Sequence, residues 1–234
     1  MDVAKFLHNY GNLVCSDFGE SEFAAIRVLC PGLSSPKLGK MLNYAGRILP
    51  PNEVYVEIGT FTGYTLIAAS HHNTQAQFVG IDNFRLIGEN TTPEHQAWVR
   101  DRLRLNKEHF KYGNHHTIDS DFRNVVLGEE VKIGVFFIDG HHTREEVYEN
   151  FKWAYPRMAD EALIFVDDIS MNGVGDGVTD WTKDHPEYKE FFRMHNFYPK
   201  ENGDHWSNSF WNGLSILTFK RVPVVEKAPE AVCA

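Results

Sequence analysis

The residues with the most chemistry in them stand at the ends of apolar runs. Val131 to Ile138 (VKIGVFFI) ends in Asp139-Gly140-His141-His142, and Ala162 to Val166 (ALIFV) ends in Asp167-Asp168. A right-handed crossover through the intervening segment makes the two runs adjacent parallel strands. Asp139, Asp167 and Asp168 then converge. Unpaired like charges so close raise one another's pKa. A divalent cation removes that conflict, and oxygen ligands completed by water suit Mg²⁺. The competing account turns Asp168 away to cap a loop and leaves Asp139 to water. His141 and His142 follow the first carboxylate, where an imidazole can take a proton from a metal-bound hydroxyl near neutral pH. A solvated turn histidine is the alternative there.

A second constellation lies upstream. Val54, Tyr55, Val56 and Ile58 read as a buried strand, Gly59 and Gly63 follow it, and Tyr64 to Ala69 reads as the first turns of a helix. Glycine admits positive φ and close ligand approach, and a helix start offers unpaired N–H groups. The pattern Glu57-x-Gly59-x-x-x-Gly63 is neither the Gly-x-Gly-x-x-Gly of dinucleotide binders nor a phosphate-cradling loop with Lys and Ser/Thr. Glycines placed only for tight packing would look the same. Asp82 ends the next apolar run, Ala76 to Ile81. A carboxylate there can accept both ribose hydroxyls of a nucleoside cofactor, SAM or NAD alike, or it can shape a turn.

The elements that must position these residues follow from periodicity. Strands are expected at Val54–Ile58, Ala76–Ile81, His116–Ile118, Val131–Ile138, Ala162–Val166, His195–Tyr198 and Leu214–Lys220. Helices are expected from Ser21 as N-cap to Leu29, from Pro36 to Ile48, from Pro93 to Phe110, from Thr143 to Met158 and over Asp180–Met194. Ser170–Thr179 is glycine-rich and expected to be mobile. The first five strands alternate with helices, which predicts a parallel sheet. The close succession of the last elements predicts an antiparallel ending. Glu57, Asp82, Asp119, Asp139 and Asp167 all fall near carboxyl ends of strands, where ligands sit in such folds. Three segments are expected: a helical cover over 1–50, the core over 51–221 and a flexible tail over 222–234.

Glu57 to Gly63 resembles motif I of the class I S-adenosylmethionine (SAM) dependent methyltransferases. The stretch VFFIDGHHTREEVYENFKWAYPRMADEALIFVDDI resembles the metal-dependent O-methyltransferases of the macrocin type, and catechol O-methyltransferase is similar in placing metal ligands at two strand ends. The resemblance spans Val54 to Ile169 and departs where the family has Gly-Gly before the fifth strand, since Asp160-Glu161 stand here. It implies a Rossmann-like, mostly parallel seven-stranded sheet with helices on both faces. It implies that Glu57, Gly59, Thr60, Gly63 and Thr65 hold the methionine part of SAM and Asp82 the ribose, with Ser120 and Asp121 at the adenine edge. Asp139, Asp167 and Asp168 would be the metal ligands. His142, which matches the family's Asp-Gly-x-His turn, would be the base ahead of His141. The expected activity is methyl transfer to a hydroxyl of a small molecule such as a sugar, phenol or secondary metabolite. An NAD-dependent oxidoreductase or a noncatalytic SAM-binding protein are the alternatives.

Composition narrows the partners. The 234 residues carry 23 Lys+Arg against 32 Asp+Glu, a formal charge of -9, which opposes nonspecific attraction to nucleic acid or anionic membranes. No apolar run of membrane-spanning length and no apolar signal core stand in the sequence. Cys15, Cys30 and Cys233 are too scattered for a disulfide framework or zinc site, which fits a reducing cytoplasm. The 12 histidines include the pairs His71-His72, His115-His116 and His141-His142. A homo-oligomer is left open. The C-terminal aromatics Trp181, Phe191, Phe192, Trp206, Phe210 and Trp211 are expected mostly in the core.

Overall fold

The computed structural model describes residues 1–16, 19–85, 92–111, 114–171, 173–195, 210 and 212–222. Strands β1 (Val54–Ile58), β2 (Gln77–Asp82), β3 (His115–Asp119), β4 (Ile133–Ile138), β5 (Met158–Asp167), β6 (Tyr188–Met194) and β7 (Leu214–Lys220) form one sheet in the order β3-β2-β1-β4-β5-β7-β6. Pairing is parallel from β3 through β5, and β7 runs antiparallel to both its neighbours. This is the Rossmann-like sheet with an antiparallel end that the sequence predicts. The chain winds outward from β1 to β3 and then returns to lay β4 against the other side of β1. A crevice opens beyond the carboxyl ends of strands where winding reverses in this way.

Strand alternation sorts the core onto two faces. Val56, Ile58, Phe136, Ile138, Ile164 and Val166 pack with α6 (Arg144–Ala154) and α7 (Val174–Asp184). Tyr55, Phe78, Val135, Phe137, Leu163 and Phe165 pack with α1 (Val3–Cys15), α3 (Pro36–Arg47) and α4 (Tyr64–Ser70). The remaining helices are α2 (Glu20–Leu29) and α5 (Pro93–His109). Caps fix several starts: Ser35 accepts from Leu38 N at 3.1 Å, Thr92 from His95 N at 3.2 Å and Thr143 from Glu146 N at 3.2 Å. Each such cap stabilises its helix by about 1 kcal/mol. No helix among the described residues is long and apolar enough to cross a membrane.

Several expectations need correction. Ser21 does not cap α2, which starts at Glu20 after Gly19 in a left-handed conformation at φ 81°. The segment Ser170–Thr179 is not a glycine-rich loop throughout, because α7 begins at Val174. Its glycines serve close packing: a Cβ on Gly175 would come within 2.8 Å of Ile169 O, and one on Gly177 within 2.6 Å of Arg144 O. The helix expected to Met194 stops at Asp184, with Pro186 pushing His185 out of the helical region. Tyr188–Met194 is instead strand β6, so His195 lies beyond it and 196–198 lie outside the described residues. Helix α6 ends at Ala154 rather than Met158, and β5 starts at Met158. Trp181 and Phe210 are buried as expected. Trp206, Trp211, Cys233, the loop 86–91 and the tail from 223 onward lie outside the described residues.

Candidate active site

The crevice between β1 and β4 is where the two constellations meet. Gly59 leaves β1 with φ 91°, and a Cβ there would lie 1.9 Å from Asp139 O, so only glycine lets the turns after β1 and β4 touch. Asp139 N donates to Ile58 O at 2.9 Å, stitching the same two turns together. Gly63, at φ 92°, closes the corner by donating to Thr60 O at 2.7 Å and opens α4.

Asp82 holds this corner. Its Oδ2 accepts from Thr60 N and Phe61 N, both at 2.8 Å, and its Oδ1 accepts from Phe84 N at 2.6 Å. Oδ1 therefore keeps a lone pair for a ligand hydroxyl, whereas the amides of the glycine turn already occupy Oδ2. The sequence offers Asp82 as a ribose ligand but does not disclose this clamp, because the partners lie more than twenty residues upstream.

Beneath the corner Glu57 is fully buried. Tyr55 donates its hydroxyl to Glu57 Oε2 at 2.8 Å. Two residues apart on one strand means one shared face, and that spacing was the available signal for the pair. Burial pushes the Glu57 carboxyl up to about 8, with Asp139 adding to the shift and the hydroxyls of Tyr55, Thr65 and Thr60 opposing it. Glu57 Oε1 and Thr60 Oγ1 are nevertheless buried without an aligned hydrogen-bond partner. Positive-φ glycines, a helix start and two orphaned polar atoms fit a bound cofactor with polar groups of its own. Thr65 is buried in the first turn of α4.

On the β4 and β5 side, ligand atoms of Asp139, His142 and Asp168 all lie within 4.8 Å of one another. His142 Nε2 stands 2.8 Å from Asp168 Oδ2 and 3.9 Å from Asp139 Oδ1. Nε2 makes no in-line hydrogen bond there, so the contact is one of charge. Burial alone would lower the His142 pKa, but the two carboxylates outweigh it and hold the imidazole up to about 10. Asp139 is raised to about 6, by burial first and then by Asp168, with His142 opposing. Asp168 adopts φ 56°, a left-handed conformation uncommon outside glycine. Asp167 is placed differently. It is buried, its Oδ1 accepts from Asp168 N at 3.0 Å, and it does not join the cluster. Burial, then Asp139 and Asp168, push its carboxyl well above the usual range. His141 is exposed. Two carboxylates facing one point fit a divalent cation, with the imidazole beside them.

The remaining candidates sit on the rim. Ser120 donates through N to Asp82 O at 3.0 Å and through Oγ to Asp121 O at 3.1 Å. The Asp121 carboxylate caps the turn at Phe122 and pairs with Arg123 at 3.2 Å. Asp119, level with Asp82 in the sheet, is held by Arg100 at 2.6 Å. A cavity of about 510 Å³ between α5 and β3 borders this rim through Phe84 and Asp119 but does not include the β1–β4 crevice.

Solved structures share the fold. Cofactor-bound Rv0187 from MTB is 16% identical, covering 94% of this chain and 97% of its own, with a TM-score of 0.57. The O-methyltransferase from Bacillus cereus in complex with SAH is 16% identical, covering 93% and 97%, at 0.56. The SAH-bound Podospora anserina methyltransferase PaMTH1 is 15% identical, covering 86% and 87%, at 0.55. No curated protein matches the chain in sequence. Residues 56–169, which run from inside β1 to just past Asp168, match the family described as a methyltransferase domain. This segment is a methyltransferase domain. The matched segment carries Glu57, the glycine corner, Asp82 and the Asp139–His142–Asp168 cluster, and leaves α1–α3 and everything after Ile169 outside.

Proposed function

We propose that this methyltransferase moves the methyl group of SAM to a hydroxyl of a small molecule, assisted by a divalent cation for which Mg²⁺ is the expected choice. The observation that carries the reading is the convergence of Asp139, His142 and Asp168 beside the glycine corner. In the reaction the S–CH₃ bond breaks with its electron pair going to sulfur, the acceptor oxygen bonds to the methyl carbon, and the hydroxyl proton leaves. The Gly59–Gly63 turn and α4 would hold the methionine part of SAM, and Asp82 Oδ1 one ribose hydroxyl. Ser120 and Asp121 stand at the adenine side. Asp139 and Asp168 would hold the cation, with Asp167 backing Asp168 through its main chain. When bound, the cation supplies positive charge that lowers the pKa of the acceptor hydroxyl. His142 Nε2 would take the proton, and His141 is the reserve candidate. Holding donor and acceptor in line supplies much of the rate. The helices over 1–50 and the segment after Ser170 would choose the acceptor, a sugar, phenol or related metabolite.

The test is calorimetric titration with SAM, S-adenosylhomocysteine and NAD, with and without Mg²⁺, followed by an acceptor screen with methyl-labelled SAM. SAM should bind in both conditions, and labelled product should require Mg²⁺ and vanish in Asp168→Asn. Binding of NAD but not SAM would overturn the reading. Full turnover in metal-stripped enzyme would remove the cation from it.

A further inference from the structure

A cluster outside the crevice carries its own chemistry. His71 and His72 follow α4 directly, and Glu22 reaches them from the first turn of α2. His71 Nε2 lies 3.0 Å from Glu22 Oε1, His72 Nε2 lies 3.6 Å from the same oxygen, and the three ligand atoms are within 4.8 Å of one another. A tetrahedral zinc ion with bonds of about 2.0–2.2 Å separates neighbouring ligand atoms by roughly 3.3–3.5 Å, which the two distances bracket.

Other features bear on the same point. His72 takes φ 59°, and this left-handed turn brings the second imidazole onto the glutamate the first already touches, their rings 4.0 Å apart. Asn43 fixes the main chain there by donating to Ala68 O at 2.8 Å and His71 O at 2.7 Å. The C-terminal end of α4 adds partial negative charge that favours a cation. His71 is 20% exposed, His72 71% and Glu22 50%, which leaves the fourth position to water.

We propose that Glu22, His71 and His72 form a metal site of their own, which takes Zn²⁺ and clips α2 to the end of α4. Two imidazoles and one carboxylate favour zinc or its late first-row neighbours over Mg²⁺. The clip joins α2, whose sequence bears no motif, to the helix that begins at the glycine corner.

The full-length protein is stripped of metal and titrated with Co²⁺, read by its visible tetrahedral absorption and displaced by Zn²⁺. The parent is Asp139→Asn/Asp168→Asn, which disables the other cluster. It should bind one equivalent with Kd of about 10 μM or tighter. Glu22→Gln and His72→Asn should each weaken that binding at least tenfold while melting like the parent in chelator. Zinc at a hundredfold over Kd should raise the parent's melting temperature by about 5 °C or more and leave the His72→Asn variant unmoved. If the parent does not fold, the same readout is the loss of one Co²⁺ equivalent on adding His72→Asn to the natural chain. Binding only at millimolar metal, or Co²⁺ binding indifferent to both Glu22→Gln and His72→Asn, would overturn the proposal.

Discussion

Glu57 and His142 are the two residues whose charge state the fold alters most informatively. Glu57 moves from an ordinary 4.5 to about 8. Folded protein therefore keeps a proton that the unfolded chain has lost between those values, so this group's stabilising contribution is complete below 4.5 and fades as pH rises through 8. Glu57→Gln removes the titration. Its melting temperature relative to the natural protein should climb from pH 5 to pH 8 and then level, in thermal scans without ligand. A constant difference across that window would mean that Glu57 is not the titrating group. His142 is held up near 10 by carboxylates that a metal would engage. His142→Ala should lower single-turnover methyl transfer by about 10²–10⁴-fold with SAM affinity kept, whereas His141→Ala should keep its rate. The reverse pattern would make His141 the base. The run of residues from Asp139 to His142 and the pair Asp167-Asp168 were legible in the sequence because each ends an apolar run. The division of labour between Asp167 and Asp168 was not, because it turns on the left-handed φ of Asp168.

At the scale of elements, glycines decide how closely things approach. Gly59 lets the turns after β1 and β4 touch, and Gly177 lets α7 seat on the start of α6. Gly177→Ala should therefore destabilise by about 1–3 kcal/mol, a drop in melting temperature of roughly 2–4 °C per kcal/mol, with SAM affinity little changed. Gly59→Ala should abolish SAM binding and disturb the Asp139–His142–Asp168 cluster together, since the added Cβ meets Asp139 O. Retained SAM affinity in Gly59→Ala would contradict the shared turn. Strands β1, β4 and β7 could be read from runs in which apolar residues predominate. Helix α7 and strand β6 could not. Glycines that look like loop punctuation were packing contacts, and the break at His185-Pro186 moved the helix out of Asp180–Met194 and gave its second half to the sheet.

For the whole molecule, winding reverses between β1 and β4, so the glycine corner and the carboxylate cluster stand on the two sides of one crevice. The glycine corner is built from β1, β2 and α4, the cluster from the ends of β4 and β5. Loss of the cation should leave SAM affinity within a few fold, measured by calorimetry on Asp168→Ala in chelator. A collapse of affinity would show that the two halves form one site. The same topology explains why the fold was readable while its neighbours across the sheet were not. Periodicity reports each strand separately, whereas pairs such as Asp82 with the Thr60 and Phe61 amides exist only once the sheet has closed.

The amide clamp on Asp82 also bears on time. The glycine turn is tied down from within by a carboxylate rather than waiting for a ligand to order it. Capture of SAM should then be a single encounter without a slow rearrangement behind it. In stopped-flow mixing, the observed rate should rise linearly with SAM concentration and show one exponential. Asp82→Ala should both slow that approach and introduce a plateau, since the loosened turn must now re-form before the cofactor can settle.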